Sequence, residues 1–194
     1  MSEKIWLFDG TNTDGWTTPE GNQPIDWPVR FGYMTVGSWN IHSREVYGDA
    51  YLHVEFSCPD MPNETGQRKG NSGIFLHGLY EIQVLDSYGV EDYTDQDCGA
   101  IYQLNKHLSN ASLPPEEWQA YDIFLRAPRF SSGGELLEKA RLTLLHNGIV
   151  IHNNIILERP TPGGVSDKIQ PDGPLLLQYH LDKVRYRNIW LIKL

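Results

Sequence analysis

The chain is predicted to be all-β, built as two antiparallel sheets packed face to face. Three observations carry this. Runs of β-branched and aromatic residues recur at 8–15-residue spacing along the 194 positions, which is strand spacing. Turn formers separate them, with 18 Gly and 12 Pro in all,. Helical periodicity is almost absent, which excludes alternating βαβ units. With no internal repeat or linker, residues 1–194 are expected to form one domain, a normal size for an all-β fold,. A chain of this length buries roughly 70% of its unfolded surface, so it needs no staples.

In chain order, Trp6-Leu7-Phe8 before Asp9-Gly10 reads as a short strand ending in a turn,. Phe31 to Val36 and Ser38 to Ile41 read as a hairpin around Gly37,. Tyr51 to Ser57 alternates clearly, with Leu52, Val54 and Phe56 on one face and Tyr51, His53 and Glu55 on the other,. Pro59 to Gly70 is a polar loop without periodicity, long enough to form the rim of a site,. Ile74 to His77 and Tyr80 to Leu85 are paired strands around Gly78-Leu79,.

Gly99 to Leu104 gives another short strand, and Leu113 to Trp118, with its prolines, a single helical turn,. Gln119 to Arg126 is a long strand. Arg141 to His146 and Ile149 to His152 flank Asn147-Gly148, the preferred pair for a type I′ hairpin,. Pro160 to Gly173 is a connection, and Leu175 to His180 and Val184 to Leu194 close the sequence. The count is about a dozen strands.

A net charge of −9 and no basic run longer than Arg68-Lys69 argue against nucleic acid or an anionic membrane as partner,. No apolar stretch approaches the ~20 residues that span a bilayer, and the N-terminus has no signal-peptide pattern. A soluble protein is expected, cytoplasmic as it stands, or periplasmic or secreted if a leader has been removed. Cys58 and Cys98, the two cysteines, read as free, partly buried thiols,. His146 reads as structural; His42, His107 and His152 read as ordinary surface or loop histidines. HExxH, phosphate-loop and GxSxG motifs are absent, which removes zincin, nucleotide-binding and α/β-hydrolase readings,.

Polar residues at mid-strand in a sandwich belong on an outer face. By alternation, Glu81 and Gln83 oppose Tyr80, Ile82 and Val84, and a β-bulge near Leu85 would bring Asp86 to the polar side,. His53 with Glu55, Asp122 with Arg126, and Gln178 with His180 repeat the pattern on three further strands. One shared hollow lined by these residues would suit a sugar, whose C–H faces stack on rings while its hydroxyls meet amides and carboxylates.

Several segments together resemble the 3-keto-disaccharide hydrolase family. They are LFDGTNTDGW, YGDAYLHVEF, GNSGIFL, YEIQVLDS, CGAIY, EWQAYDIFLRAPRF, LLHNGIVIHNN and LLLQYHLDKVRYRNIWL. Each alone is weak; their order and spacing over nearly the whole chain are specific. The resemblance implies a concanavalin A-like or laminin G-like jelly roll and a carbohydrate-active enzyme whose substrates are glycosides oxidised to a ketone at C3. It also implies a functional pairing with a sugar 3-dehydrogenase.

On that chemistry a base takes the C2 proton and the C1 substituent leaves by β-elimination, with water able to add afterwards. Glu81 or His180 is expected as the base or the acid. Gln83, Gln178 and Arg126 are expected as donors to oxygen, and Glu55 with His53 as groups that orient the sugar. Asp122, Tyr102 and Asp86 complete the candidate binding set. No cofactor is firmly expected; for a divalent cation, His53, Glu55, Glu81 and His180 are suitable ligand types.

Two other classes stay open. Glu81-Ile82-Gln83-Val84-Leu85-Asp86 is similar to the Glu-x-Asp-x-x-Glu strand of laminarinase-type glycosidases, although Gln83 replaces the middle carboxylate,. A lectin-like or purely structural sandwich without catalysis is the third reading.

Overall fold

The computed structural model describes residues 3–21 and 23–194. Fifteen strands are present among them: β1 (Ile5–Phe8), β2 (Trp16–Thr17), β3 (Val29–Arg30), β4 (Tyr33–Thr35), β5 (Ile41–Tyr47), β6 (Ala50–Ser57), β7 (Ser72–Leu76), β8 (Tyr80–Val84), β9 (Gln119–Arg126), β10 (Arg129–Phe130), β11 (Leu136–Glu138), β12 (Arg141–His146), β13 (Ile149–Ile156), β14 (Gly173–Leu177) and β15 (Arg185–Lys193). One sheet of eight strands runs β13-β12-β9-β6-β15-β4-β3, with β1 also on β15. A second, of five, runs β2-β5-β14-β7-β8, and β10 pairs β11 as a small ribbon. All pairings between named strands are antiparallel, as the sequence predicts for a jelly-roll sandwich.

The alternation read in β6 places Leu52, Val54 and Phe56 inside, beside Tyr121, Ile123 and Leu125 of β9 and Tyr186, Ile189 and Leu191 of β15. Ile74, Leu76, Tyr80, Ile82, Val84, Leu175 and Leu177 face them from the five-stranded sheet, closing one contiguous core,. Burial of such side chains contributes roughly 1.5–3 kcal/mol each. Cys58 and Cys98 are free and buried. Asn147 and Gly148 have φ of 51° and 79°, the left-handed pair of a type I′ turn between β12 and β13,.

Four expectations are corrected. No hairpin turns at Gly37: β4 pairs β3 and β15 in one sheet while β5 joins the other, so this segment crosses between sheets. Gly37 is required there because a Cβ would lie 2.2 Å from Asp26 Oδ1 and 2.6 Å from Trp27 Cδ1. Residues 99–104 form turns with two isolated bridges, from Ile101 to Ile82 and to Asn105, rather than a strand. Residues 113–118 make turns and no helical segment.

His107 and His152 are buried, not surface residues. His152 follows buried Ile151 because the β12–β13 register shifts on either side of Leu144, which interrupts strict alternation,. His146 is buried against Gln119, with Nε2 2.9 Å from its Oε1.

Candidate active site

β7 and β8 form the hairpin that carries the site, in register from Ser72–Val84 to Leu76–Tyr80 without a shift. Alternation sends Tyr80, Ile82 and Val84 into the core and Glu81 and Gln83 to the outer face,. That face is not open to solvent. The free edge of β8 is covered by residues 99–102, through Gln83 N–H to Ala100 O (3.0 Å), Gly99 N–H to Gln83 O (3.0 Å) and Tyr102 N–H to Glu81 O (3.1 Å). From the other direction, Thr161 Oγ accepts the Glu81 N–H at 2.9 Å. Loops thus turn an outer sheet face into a polar hollow.

The hollow, about 190 Å³, is lined by Gln67, Asn71, Glu81, Gln83, Tyr102, Pro162, Gly163, Gln178 and His180. Glu81 is 3% exposed, and no hydrogen bond or ion pair reaches its carboxyl group among the described residues. Burial alone pushes its pKa up to about 8, because a charge removed from water without a partner is disfavoured. Gln83 is differently placed. Its Nε2 donates to Gln67 Oε1 (2.9 Å) and Gln96 O (3.3 Å), and its Oε1 accepts from Val84 N–H. Asn71 Nδ2 meets Gln67 O at 2.7 Å and Gln67 Oε1 at 3.2 Å. These amides brace one another. Gln178 carries a buried Oε1 with no partner among the described residues, an acceptor left free inside the hollow.

Of the residues expected from sequence, Glu81, Gln83, Tyr102, Gln178 and His180 therefore line one cavity. Glu55, His53, Asp122 and Arg126 do not join them. β6 and β9 belong to the eight-stranded sheet, so their polar faces look out from the opposite side of the sandwich. There His53 Nδ1 lies 2.7 Å from Asp122 Oδ1, Tyr51 OH donates to Asp122 (2.8 Å), and Glu55 takes Arg187 Nε (2.6 Å) and Asn188 Nδ2 (2.7 Å). Trp190 stacks on His53 at 5.1 Å. Arg126 pairs with Glu138 at 2.6 Å.

Asp86 lies beyond the end of β8, with no bulge before it. It is buried against Lys69 Nζ at 3.0 Å and accepts the Tyr88 N–H, outside the cavity. The four candidate metal ligands are split between the two outer faces and do not form one donor set. Among the described residues no group of three His, Cys, Asp or Glu is arranged to hold a metal ion.

Gln67 and Asn71 are lining residues that alternation could not find. Gln67 had only the signal of the polar, aperiodic loop ending at Gly70, and Asn71 directly follows it.

The profile of the 3-keto-alpha-glucoside-1,2-lyase-like domain matches residues 3–192. The chain belongs to this family. A candidate glycosyl hydrolase of Parabacteroides distasonis has the same fold with a TM-score of 0.87 and 34% identity, over 98% of this chain and 84% of that one. A second from the same organism gives 0.72 at 19% identity, over 98% and 94% of the two chains. The carbohydrate binding module CBM66 from Bacillus subtilis gives 0.52 at 12% identity, over 92% and 96%, and shares the fold alone. No curated protein matches the sequence. In this 3-keto-alpha-glucoside-1,2-lyase-like chain, the expected family and jelly-roll fold both hold. No described helix is long and apolar enough to cross a membrane.

Proposed function

We infer that the protein cleaves 3-keto-glycosides by β-elimination, with Glu81 as the base. The observation that carries this is a carboxyl group of pKa about 8, buried without a charge partner in a polar hollow. A general base works best when its pKa lies near the working pH. An ordinary glycoside has no acidic C–H for such a base. A C3 ketone supplies one at C2.

In the reaction Glu81 takes the C2 proton and the C2–H electron pair is held as an enolate on the C3 oxygen. The enolate then returns its electrons to form C1=C2, the C1–O bond breaks, and the departing oxygen takes a proton. Water added across C1=C2, hydroxyl to C1 and hydrogen to C2, makes the net result hydrolysis. Tyr102, His180 and the Gln178 amide supply donors around the sugar oxygens, where a donor to a developing oxyanion contributes about 3 kcal/mol. The Gln178 Oε1, unpaired in the hollow, is available to a sugar hydroxyl. With both Nε2 hydrogens engaged, Gln83 positions Gln67 rather than touching the enolate. The substrate must come from an oxidation at C3, which fits pairing with a sugar 3-dehydrogenase.

A conventional glycosidase needs two carboxylates, ~5.5 Å apart for retention or ~6.5–9.5 Å for inversion. Among the described residues lining the hollow, Glu81 is the one carboxylate, and this favours elimination. The test is turnover of a 3-keto-glucoside beside its unoxidised parent. Cleavage of the keto sugar alone, lost in Glu81→Gln, is the expected result. Cleavage of the plain glycoside, or full activity in Glu81→Gln, overturns the reading.

A further inference from the structure

A second cavity of about 200 Å³ adjoins the first and shares two of its walls, Gln67 and His180; Met61, Glu64, Arg68, Leu181 and Asp182 complete it. Three of its charged walls have partners within the chain. Glu64 pairs with Arg68 at 3.4 Å, and Asp182 Oδ2 accepts the Asn71 N–H at 2.7 Å. Met61 is held by the Gly70 N–H, 3.3 Å from Sδ. Most of the surface facing the space is apolar, with the thioether of Met61 and the side chain of Leu181 among its walls.

Leu181 is unusual twice over. It is 72% exposed, and its φ of +71° lies in the left-handed region that a bulky residue rarely adopts,. Backbone strain of this kind clusters at active sites and ligand clamps.

We propose that this second cavity receives the leaving group of the substrate, and that it selects aglycones presenting an apolar or aromatic face. The assignment of a leaving group rests on the elimination reading above. The sugar ring occupies the hollow at Glu81, and its C1 substituent passes between Gln67 and His180 to lie against Leu181 and Met61. A ring placed there covers Leu181, while a second sugar meets few free polar partners in the same walls. The chemical class is thus a glycoside whose C1 oxygen carries an aryl-alkyl or similarly apolar group.

The test compares benzyl with methyl glucosides, since both alcohols are leaving groups of similar acidity. Calorimetric binding of the two unoxidised glucosides to the full chain needs no turnover. The benzyl compound is expected to bind about tenfold tighter, in the range one apolar contact set can discriminate. Leu181→Asn keeps the size and tolerates the backbone conformation, so it tests the contact without threatening the fold. It is expected to abolish the preference.

Equal affinity for both glucosides in the unaltered protein, or an undiminished preference in Leu181→Asn, overturns the proposal. The 3-keto forms give a second arm, in which the benzyl-to-methyl ratio of kcat/KM falls by the same factor in Leu181→Asn; an unchanged ratio there overturns the assignment. A benzyl binding preference in a protein that cleaves neither keto sugar would sink the elimination reading while the apolar cavity stood.

Discussion

Glu81 lies over Gly73 on the neighbouring strand: a Cβ built on Gly73 would sit 2.4 Å from Glu81 Oε1. Absence of a side chain at one position in β7 therefore creates the place where the carboxyl group of β8 rests. Gly73→Ala is expected to push the carboxylate aside, since it is the movable end of a side chain. Misplacing a catalytic group by about 1 Å costs on the order of 10²-fold in rate. Steady-state kinetics beside a thermal melt measure this. A normal rate in a folded Gly73→Ala protein would detach Glu81 from the reaction.

Glu81 must be deprotonated to act as a base, so kcat/KM for a 3-keto-glucoside is expected to climb about tenfold per pH unit and level off above pH 8,. Glu81→Gln is expected to lose ~10²–10⁴-fold and the pH limb with it. Stability moves the opposite way. Between the ordinary glutamate value of 4.5 and about 8, the folded state holds a proton that the unfolded chain has released. Its stability therefore falls as pH rises through that window. At pH 8 and above Glu81→Gln is expected to be more stable than the parent, by on the order of 3 kcal/mol. Denaturant melts at pH 5 and pH 8.5 measure the difference, and no gain at the higher pH would count against a buried, unpaired Glu81.

Gln178 carries the unpaired Oε1 in the hollow. Gln178→Met keeps the length but removes both the amide donors and the acceptor. An unmatched sugar hydroxyl costs about 1–3 kcal/mol, so KM is expected to rise roughly 10- to 100-fold. The melting temperature is expected to hold or rise slightly, because a buried polar atom without a partner is gone. An unchanged KM would move the sugar away from Gln178.

The His53–Asp122 pair is expected to govern stability and not turnover. Burial works against charge on His53, but the hydrogen bond and charge of Asp122, then of Glu55, outweigh it and raise its pKa. That contribution is complete below 6.5, the ordinary histidine value, and fades as pH rises through the folded value,. Asp122 is held below its ordinary 3.8, chiefly by His53 and against burial, so its own contribution fades as pH falls. Asp122→Asn is expected to lose about 1–2 kcal/mol, most between pH 4 and 6.5, with keto-glycoside turnover unchanged. Lost turnover in a folded Asp122→Asn protein would reinstate this face as part of the site.

Much of the site was legible strand by strand. Period-two alternation places Glu81 and Gln83 on the outer face of β8, and Gln178 and His180 just past β14, because a strand's pleat is a local property. The same rule correctly turned His53, Glu55, Asp122 and Arg126 outward. It could not tell which outward. Asp86 failed for another reason: β8 ends at Val84, and the chain beyond it pairs with Lys69 instead of continuing the pleat.

By itself, then, the sequence determined the all-β class, the inner faces of the long strands, the Asn147-Gly148 turn and the family. Tertiary structure alone decided that β6 and β9 lie in one sheet while β7, β8 and β14 lie in the other. That decision separates two polar clusters that look equivalent in the chain, and only one of them lines the hollow that holds Glu81. It also brings Gln67, Asn71, Pro162 and Gly163 over Glu81 from distant loops. Side-chain alternation depends on neighbouring residues, whereas sheet membership depends on crossings such as the one at Gly37 and on pairing between segments far apart in sequence. The loops that bury Glu81, and so raise its pKa, belong to that second kind of information.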